Sequence, residues 1–280
     1  MAEQFFPKAG MPAGRIELLP ERGEVFVRDS CGTGRVVLLL HGIVVSSDLN
    51  WVDVYEPLRA AGFRVLAIDH RGHGRGLRNY RRFKLADCAE DAAALLAKLE
   101  IADAIVVGYS MGGAIAQLLI KRHRNRVGAV VFCATTHDWT DWRMRSWWYS
   151  LVVLRLLVGV APYWTWRWMA HKLGAKKNGE DDWAATELTR GSARDIARAG
   201  FELGRQNEPS PAGEPPLPAA VIVTTKDRQV RPSKQYALAD AAHITADERR
   251  LQIEDNHFLK DSTPEQFSGP LVAAVRAVDQ

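Results

Sequence analysis

The 280-residue sequence predicts an α/β protein with a mostly parallel, doubly wound sheet. Two observations lead to this prediction. Three short runs, residues 36–40, 104–107 and 127–132, are continuously apolar, as are strands buried on both faces of a sheet, and residues 63–68, apolar except for Arg64, predict a fourth buried strand. Helical segments separate these runs with short connections, and that order favours parallel strands with helices on both faces.

The remaining elements follow in chain order. Residues 15–28 alternate weakly around a Glu-Arg-Gly turn at 21–23, which predicts an opening antiparallel hairpin. Apolar periodicity and alanine-rich composition predict helices at 49–61, 84–99 and 113–120. Beyond a proline-rich connector at 209–218, alternation resumes, with strands at 219–224 and 248–253 and helices at 232–242 and 264–278.

Residues 137–208 interrupt this alternation. From about 139 to 204 there is no strand candidate, and helical patterns dominate. Eight of the nine tryptophans fall in this part of the chain: Trp139, Trp142, Trp147, Trp148, Trp164, Trp166, Trp168 and Trp183. The sequence therefore predicts a core domain at 1–136 and 209–280, with an inserted helical cap at 137–208.

The candidate nucleophile is Ser110, in the sequence Gly-Tyr-Ser-Met-Gly at 108–112. This G-x-S-x-G pattern stands between a predicted strand and a predicted helix, the setting in which it marks a nucleophile elbow. Glycine is expected on both sides of the serine because a Cβ would clash in so tight a turn. The amide of Met111 would lie at the helix start, where the helix dipole favours negative charge.

A serine hydroxyl needs a base, and the base needs an orienting partner. His257 follows the last predicted strand, and Asp227 stands three residues after the strand that ends at Thr224. Both therefore fall at the carboxyl edge of the sheet, where parallel α/β proteins place their sites. The sequence predicts a Ser110, Asp227 and His257 triad, with Asp138, after the strand at 127–132, as the rival acid.

The amides of Ile43 and Met111 are the predicted oxyanion donors, because Ile43 follows a strand end at His41-Gly42. His41 is expected to shape this loop by bonding to backbone. The candidate substrate pocket is lined by His41, Tyr109, Trp139 and Trp164.

These motifs carry a resemblance to a known superfamily. They are Leu-Leu-Leu-His-Gly at 38–42, Asp-His-Arg-Gly-His-Gly at 69–74, the elbow at 108–113, Asp227 and His257. Over residues 15–135 and 215–280 the chain resembles the α/β-hydrolase superfamily, in its serine-nucleophile branch with a helical cap. That branch includes esterases, C–C bond hydrolases and cofactor-free haloperoxidases. Ser110 argues against haloalkane dehalogenases and epoxide hydrolases, which resemble this fold but use aspartate there.

The resemblance implies a serine hydrolase that cleaves a carboxylic ester or thioester with an apolar acyl part. C–C bond hydrolysis, or perhydrolysis leading to halogenation, is the alternative on the same triad. A non-catalytic ligand-binding protein of the same fold is the third hypothesis. Neither a cofactor nor a metal is expected.

The composition limits which classes of partner and which cellular location the sequence predicts. The net charge is +4, and the basic clusters are not interleaved with stacking aromatics, so no nucleic-acid partner is predicted. Three unpaired cysteines and an N-terminus without a long apolar stretch predict a cytoplasmic protein. The Trp-rich cap has two open interpretations: tryptophans packed into a core, or an apolar acyl pocket or lipid-contacting face around Trp164, Trp166 and Trp168.

Overall fold

The computed structural model describes residues 10–172, 180–259 and 262–279, without the side chains of residues 144, 145, 147, 148 and 180–182. Its strands are β1 (Gly14–Leu19), β2 (Gly23–Asp29), β3 (Val36–Leu40), β4 (Arg64–Ile68), β5 (Ala104–Tyr109), β6 (Val127–Cys133), β7 (Ala219–Thr224) and β8 (Arg250–Ile253). Its α-helices are α1 (Ser47–Trp51), α2 (Tyr55–Ala60), α3 (Leu85–Lys98), α4 (Met111–His123), α5 (Trp142–Val160), α6 (Pro162–Lys172), α7 (Glu180–Thr189), α8 (Ala193–Leu203), α9 (Pro232–Ala241) and α10 (Pro264–Val278).

The strands form one sheet in the order β1-β2-β4-β3-β5-β6-β7-β8. The hairpin β1–β2 is antiparallel, β2 pairs antiparallel with β4, and every later pairing is parallel. The predicted mostly parallel sheet is therefore confirmed. Because β3, β4 and β5 are central and parallel, their carboxyl ends open onto the same edge.

The core lies on both faces of this sheet. Side chains of a strand alternate between faces, so Leu38 and Leu40 pack with α3 and α4 on one face. Val37 and Leu39 pack with α1, α2 and α10 on the other. The first cluster continues without a break into helices α5–α8, through residues such as Leu151. Those helices therefore share a hydrophobic cluster with the rest of the molecule, and α7 contacts α1 while α8 contacts α3.

The predicted helix at 49–61 is wrong as a single element. The structure has two short helices there, α1 and α2. Pro57 has no N–H to donate to the carbonyl of Asp53, which disfavours one continuous helix through this segment. The Ser46 hydroxyl instead caps α1 by accepting a hydrogen bond from the amide of Leu49.

The two ends of the segment at 137–208 meet beside the sheet. Asp138 and Asn207 form an antiparallel bridge. Beside it, the Trp139 amide donates to the Gln206 carbonyl, and the Glu208 amide donates to the His137 carbonyl, each at 2.9 Å. The chain therefore leaves and re-enters the core at one place. The division into a core domain and a cap domain stays a prediction.

A buried ion pair ties α7 to the loop after β4. The guanidinium of Arg75 reaches both carboxylate oxygens of Glu187, at 2.6 and 2.8 Å, and also contacts Asp48 at 3.2 Å. The amide of Ser192, just before α8, donates to the Gly72 carbonyl at 2.8 Å. These contacts hold the helical segment over the carboxyl edge of the sheet.

Candidate active site

Ser110 is the single residue between β5 and α4. Its backbone is in a strained conformation, with φ 52° and ψ −113°. Gly108 and Gly112 are required beside Ser110, because main-chain atoms there lie too close together to leave room for a Cβ. A Cβ on Gly108 would lie 2.5 Å from the Gly112 carbonyl oxygen, and one on Gly112 would lie 1.9 Å from the Leu40 carbonyl oxygen. The turn is held by the Ser110 amide, which donates to the Cys133 carbonyl at 2.9 Å. The predicted tight elbow is confirmed.

The structure brings the three predicted triad side chains together. The Oγ of Ser110 lies 2.9 Å from Nε2 of His257, and Nδ1 of His257 lies 2.7 Å from Oδ2 of Asp227. Each of the three residues is 3% exposed. The two contacts use opposite nitrogens of one imidazole, so a proton accepted from the hydroxyl would leave a cation beside the carboxylate.

Four groups besides His257 donate hydrogen bonds to the Asp227 carboxylate. Its Oδ1 accepts from the amides of Gln229 and Val230, at 2.8 and 2.9 Å. Its Oδ2 accepts from the Thr224 hydroxyl at 2.9 Å and from the Gln235 side-chain amide at 3.3 Å. Hydrogen bonds therefore replace water around this buried carboxylate.

The loop that carries His257 is held from both sides. The Asp255 carboxylate, fully buried, accepts from the amides of Asn256 and Ser262, at 2.6 and 2.7 Å. The Tyr109 hydroxyl donates to the His257 carbonyl at 2.5 Å. Asn256 accepts from the Phe258 amide at 2.8 Å, so its side chain closes the turn around the histidine.

The predicted oxyanion loop runs beside the nucleophile. A Cβ on Gly42 would lie 3.6 Å from the Ser110 Cβ, and the Gly42 amide donates to the Asn50 side chain at 2.8 Å. The next amide is that of Ile43, and Val44 then has φ 77°, an outlier for a β-branched residue. The Met111 amide begins α4, where the first amides have no intrahelical partner.

His41 shapes this loop and does not line an open pocket. It is fully buried, its Nδ1 lies 2.7 Å from the Gly42 carbonyl oxygen, and its Nε2 accepts from the His70 amide at 2.9 Å. Burial lowers the pKa of His41 to about 4. Its ring centroid lies 4.3 Å from that of His70 and 5.6 Å from that of His73. Burial also lowers the pKa of these two histidines, that of His73 to about 3.

The other predicted pocket residues are in different surroundings. Tyr109 and Trp139 are buried, and Tyr109 packs against the His257 ring at 6.0 Å. Trp164 is 72% exposed on α6 and packs edge-on against Tyr163. That exposure is not the environment of a pocket residue. The rival acid Asp138 pairs with the Lys234 ammonium at 2.9 Å. His257 makes its carboxylate contact with Asp227 and not with Asp138.

Some members of the site carried no motif that would identify them. Thr224 and Gln235 contact Asp227, Asn50 holds Gly42, and Thr135 donates to the Ser110 carbonyl at 2.8 Å. Their only signal was position, since Thr224 ends a strand at the active edge. No group of three or more His, Cys, Asp or Glu side chains within residues 10–172, 180–259 and 262–279 is arranged to hold a metal ion.

Comparison with known proteins adds family and fold. A family model described as alpha/beta hydrolase fold matches residues 35–259. A non-heme haloperoxidase of Rhodococcus erythropolis is 38% identical over 100 residues, 36% of each chain. A non-heme chloroperoxidase of Kitasatospora aureofaciens is 34% identical over 100 residues, again 36% of each chain. The matched part thus spans little more than a third of these relatives.

A solved structure extends the likeness of fold to nearly the whole chain. A hydrolase from Pseudomonas aeruginosa PA01 superposes with a TM-score of 0.76 at 20% identity, covering 94% of this chain and 99% of that one. The family match covers most of the sheet, the elbow and the positions of Asp227 and His257. On that match, the chain belongs to the alpha/beta hydrolase fold family.

Proposed function

We propose that the protein is a serine hydrolase that cleaves a carboxylic ester or thioester with an apolar acyl part. The observation that carries the proposal is the continuous contact from the Ser110 hydroxyl through His257 to Asp227, at 2.9 and 2.7 Å. Nucleophile, base and orienting acid at hydrogen-bond distance are what acyl transfer needs.

The proposed reaction has two halves. Ser110 attacks the substrate carbonyl while His257 takes its proton, and the amides of Ile43 and Met111 hold the oxyanion. His257 then gives that proton to the leaving alcohol or thiol, and an acyl-enzyme remains. Water attacks the acyl-enzyme, with His257 again accepting a proton, and Ser110 is released with a carboxylic acid.

The apolar acyl part follows from the surroundings of the nucleophile. Ile43 and Met111, which supply the proposed oxyanion amides, belong to the hydrophobic cluster that also contains Trp139 and Leu154. An acyl chain bound between the elbow and helices α5–α8 would contact mainly carbon atoms. Removal of apolar surface from water would then supply its binding energy.

The first experiment is labelling with a fluorophosphonate probe together with turnover of p-nitrophenyl esters of graded chain length. We expect the label on Ser110. We expect Ser110→Ala to lower kcat/KM by about four orders of magnitude, because the nucleophile is lost. Ser146→Ala, an exposed serine on α5, is the control and should keep wild-type turnover. Full activity in the Ser110→Ala variant would rule out the assignment.

A second candidate is perhydrolysis, favoured by the names of the haloperoxidase relatives. Here hydrogen peroxide replaces water in attacking the acyl-enzyme, which gives a peracid, and the peracid oxidises bromide to hypobromite. Bromination in the presence of bromide, peroxide and a short carboxylic acid would be faster than ester hydrolysis in this case. A vinylogous diketone in the same panel tests the C–C hydrolase alternative, and Ser110→Ala should abolish any of the three.

In each of these candidate reactions the proposed partner is a small-molecule substrate. The cytoplasmic location stays a prediction, which rests on the unpaired cysteines.

A further inference from the structure

Exposed apolar side chains are concentrated on two helices. Among the residues that the structure describes, twelve large hydrophobic side chains are exposed, and nine of them lie on α5 and α6. We call these nine the outer face: Trp142, Tyr149, Val153, Leu156, Leu157, Val160, Tyr163, Trp164 and Trp168. Contiguous exposed apolar surface of this kind is unusual and marks an interaction site.

The spacing of these residues along α5 places several of them on one side of the helix. Residues 149, 153, 156 and 160 recur at helical intervals along one side of α5. Leu151 and Leu154, on the other side, are each only 4% exposed and join the core. Helix α5 is therefore apolar on both sides although one side faces outward, a pattern expected where a second apolar phase covers it.

The two helices that carry the outer face contain basic residues and no acidic ones. Between residues 142 and 179 the sequence has no Asp or Glu and seven basic residues: Arg143, Arg145, Arg155, Arg167, Lys172, Lys176 and Lys177. Lys176 and Lys177 lie outside the described residues and the side chain of Arg145 is not described, so these three count here only by charge. The rest of the chain has 30 basic and 33 acidic residues, so the net positive charge of the protein comes from this segment.

Basic groups lie directly against the aromatic rings. The Arg143 guanidinium is 5.1 Å from the Trp142 ring centroid, and the Lys172 ammonium is 5.8 Å from that of Trp168. Arg167 lies 5.5 Å from the Tyr163 ring and donates to its hydroxyl at 3.1 Å. Tryptophan, tyrosine and cationic side chains in alternation are the composition of a membrane–water interface.

We propose that the outer face binds the surface of an anionic lipid bilayer. Apolar side chains would enter the headgroup boundary, and Arg155, Arg167 and Lys172 would meet lipid phosphates. Charge complementarity favours this occupant over a second copy of the chain, because two outer faces would bring like charges together. The proposed mode is attachment at the membrane surface. Of the helices in the described ranges, none combines the length and the apolar composition of a membrane span.

The structure also sets the choice of variants. Trp166 is only 3% exposed and packs in the core, so replacing it would disturb folding. Leu156 and Val160 are 63% and 87% exposed, so glutamate there should leave the fold intact. Ile16 and Leu18, exposed on β1, allow a double glutamate control with the same change of charge at a site away from the outer face.

The test is flotation of the purified full chain with phosphatidylcholine vesicles that contain or lack phosphatidylglycerol. We expect wild type to float with the anionic vesicles and not with the neutral ones. Leu156→Glu with Val160→Glu should weaken binding about a hundredfold. Ile16→Glu with Leu18→Glu should bind within about threefold of wild type. Circular dichroism of every variant checks folding without reference to enzymatic activity.

Three outcomes would overturn the proposal. Wild type could fail to float with anionic vesicles. The two double variants could lose binding equally, which would make the effect one of total charge. Wild type could instead form a dimer by light scattering that Leu156→Glu with Val160→Glu dissociates, without any vesicle binding, and the outer face would then be covered by a second copy.

Discussion

At the scale of single residues, the site depends on how the buried carboxylate of Asp227 is held in place. Asp227 accepts hydrogen bonds from two amides, a hydroxyl and a side-chain amide besides the imidazole. Gln235 links these groups further, because its Nε2 also lies 2.9 Å from the Thr224 Oγ1 and 2.6 Å from the Val230 carbonyl oxygen. The imidazole is thus aimed by a network, and not by one acid alone.

The Thr224 hydroxyl offers a test at this scale. Thr224→Val keeps the side chain's shape but removes the donor 2.9 Å from Asp227 Oδ2. A hydrogen bond to a charged group contributes about 1.5 kcal/mol or more, so we expect kcat for ester hydrolysis to fall about tenfold with KM nearly unchanged.

Thr225→Val is the matched control for that variant. The Thr225 hydroxyl donates to the Ile253 carbonyl at 3.4 Å and touches no member of the triad. Its kcat should stay within about twofold of wild type. Equal losses in both variants, or a Thr224→Val enzyme with wild-type kcat, would mean that this donor does not help to position Asp227.

At the scale of elements, the elbow is a contact between two main chains. Residue 112 of α4 lies so close to the carboxyl end of β3 that a methyl group there would meet the Leu40 carbonyl oxygen at 1.9 Å. Backbone atoms cannot move aside as the end of a flexible side chain can. The approach of α4 to β3 therefore depends on glycine, and with it the position of Ser110.

Gly112→Ala should therefore destabilise the protein by about 3 kcal/mol or more in urea unfolding, because an overpacked contact must be relieved by main-chain movement. Gly159→Ala is the matched control, since nothing lies within 4 Å of a Cβ on that residue of α5. It should raise stability by up to about 1 kcal/mol through helix propensity. Equal stability of the two variants would contradict the close approach.

At the scale of the whole molecule, three buried histidines make stability depend on pH. Burial lowers the pKa of His41 to about 4 and that of His73 to about 3, and it holds the pKa of His70 well below its usual value. In the unfolded chain a histidine titrates near pH ~6.5. Between these values the unfolded state binds more protons, so stability is present above about pH 6.5 and falls as the pH drops towards 4.

The free energy of unfolding, measured with urea from pH 4.5 to 7.5, should therefore rise with pH over the lower part of this range. Each histidine adds a slope of roughly 1 kcal/mol per pH unit, so His73→Asn should reduce the slope by about that amount.

Asp29→Asn is the control for that slope. Burial alone would raise the pKa of Asp29, but hydrogen bonds from Arg64, the Cys31 amide and Arg15 bring it down to about 2. A carboxyl group with a lowered pKa contributes stability above its unfolded pKa near ~4, and that stability is lost as the pH falls below it. Asp29→Asn should thus change stability but not the slope above pH 4.5. A slope that His73→Asn leaves intact would exclude His73 as one of its origins.

The sequence by itself determined the order of strands and helices, the elbow and the three side chains of the candidate triad. These follow from local rules: apolar periodicity identifies a buried strand, and a glycine two residues before and after a serine identifies a tight turn. Even there, Pro57 divided a helix that periodicity alone had joined.

Only the tertiary structure decided which distant groups surround those three. Gln235 and Thr224 reach Asp227, Arg75 pairs with Glu187, and Trp166 faces inward while Trp164 faces outward. Such contacts join residues that share no local pattern, since they depend on how α9 packs against β7 and how α7 packs against α1 and α6. Local sequence determines which elements form, and long-range packing determines what each side chain touches.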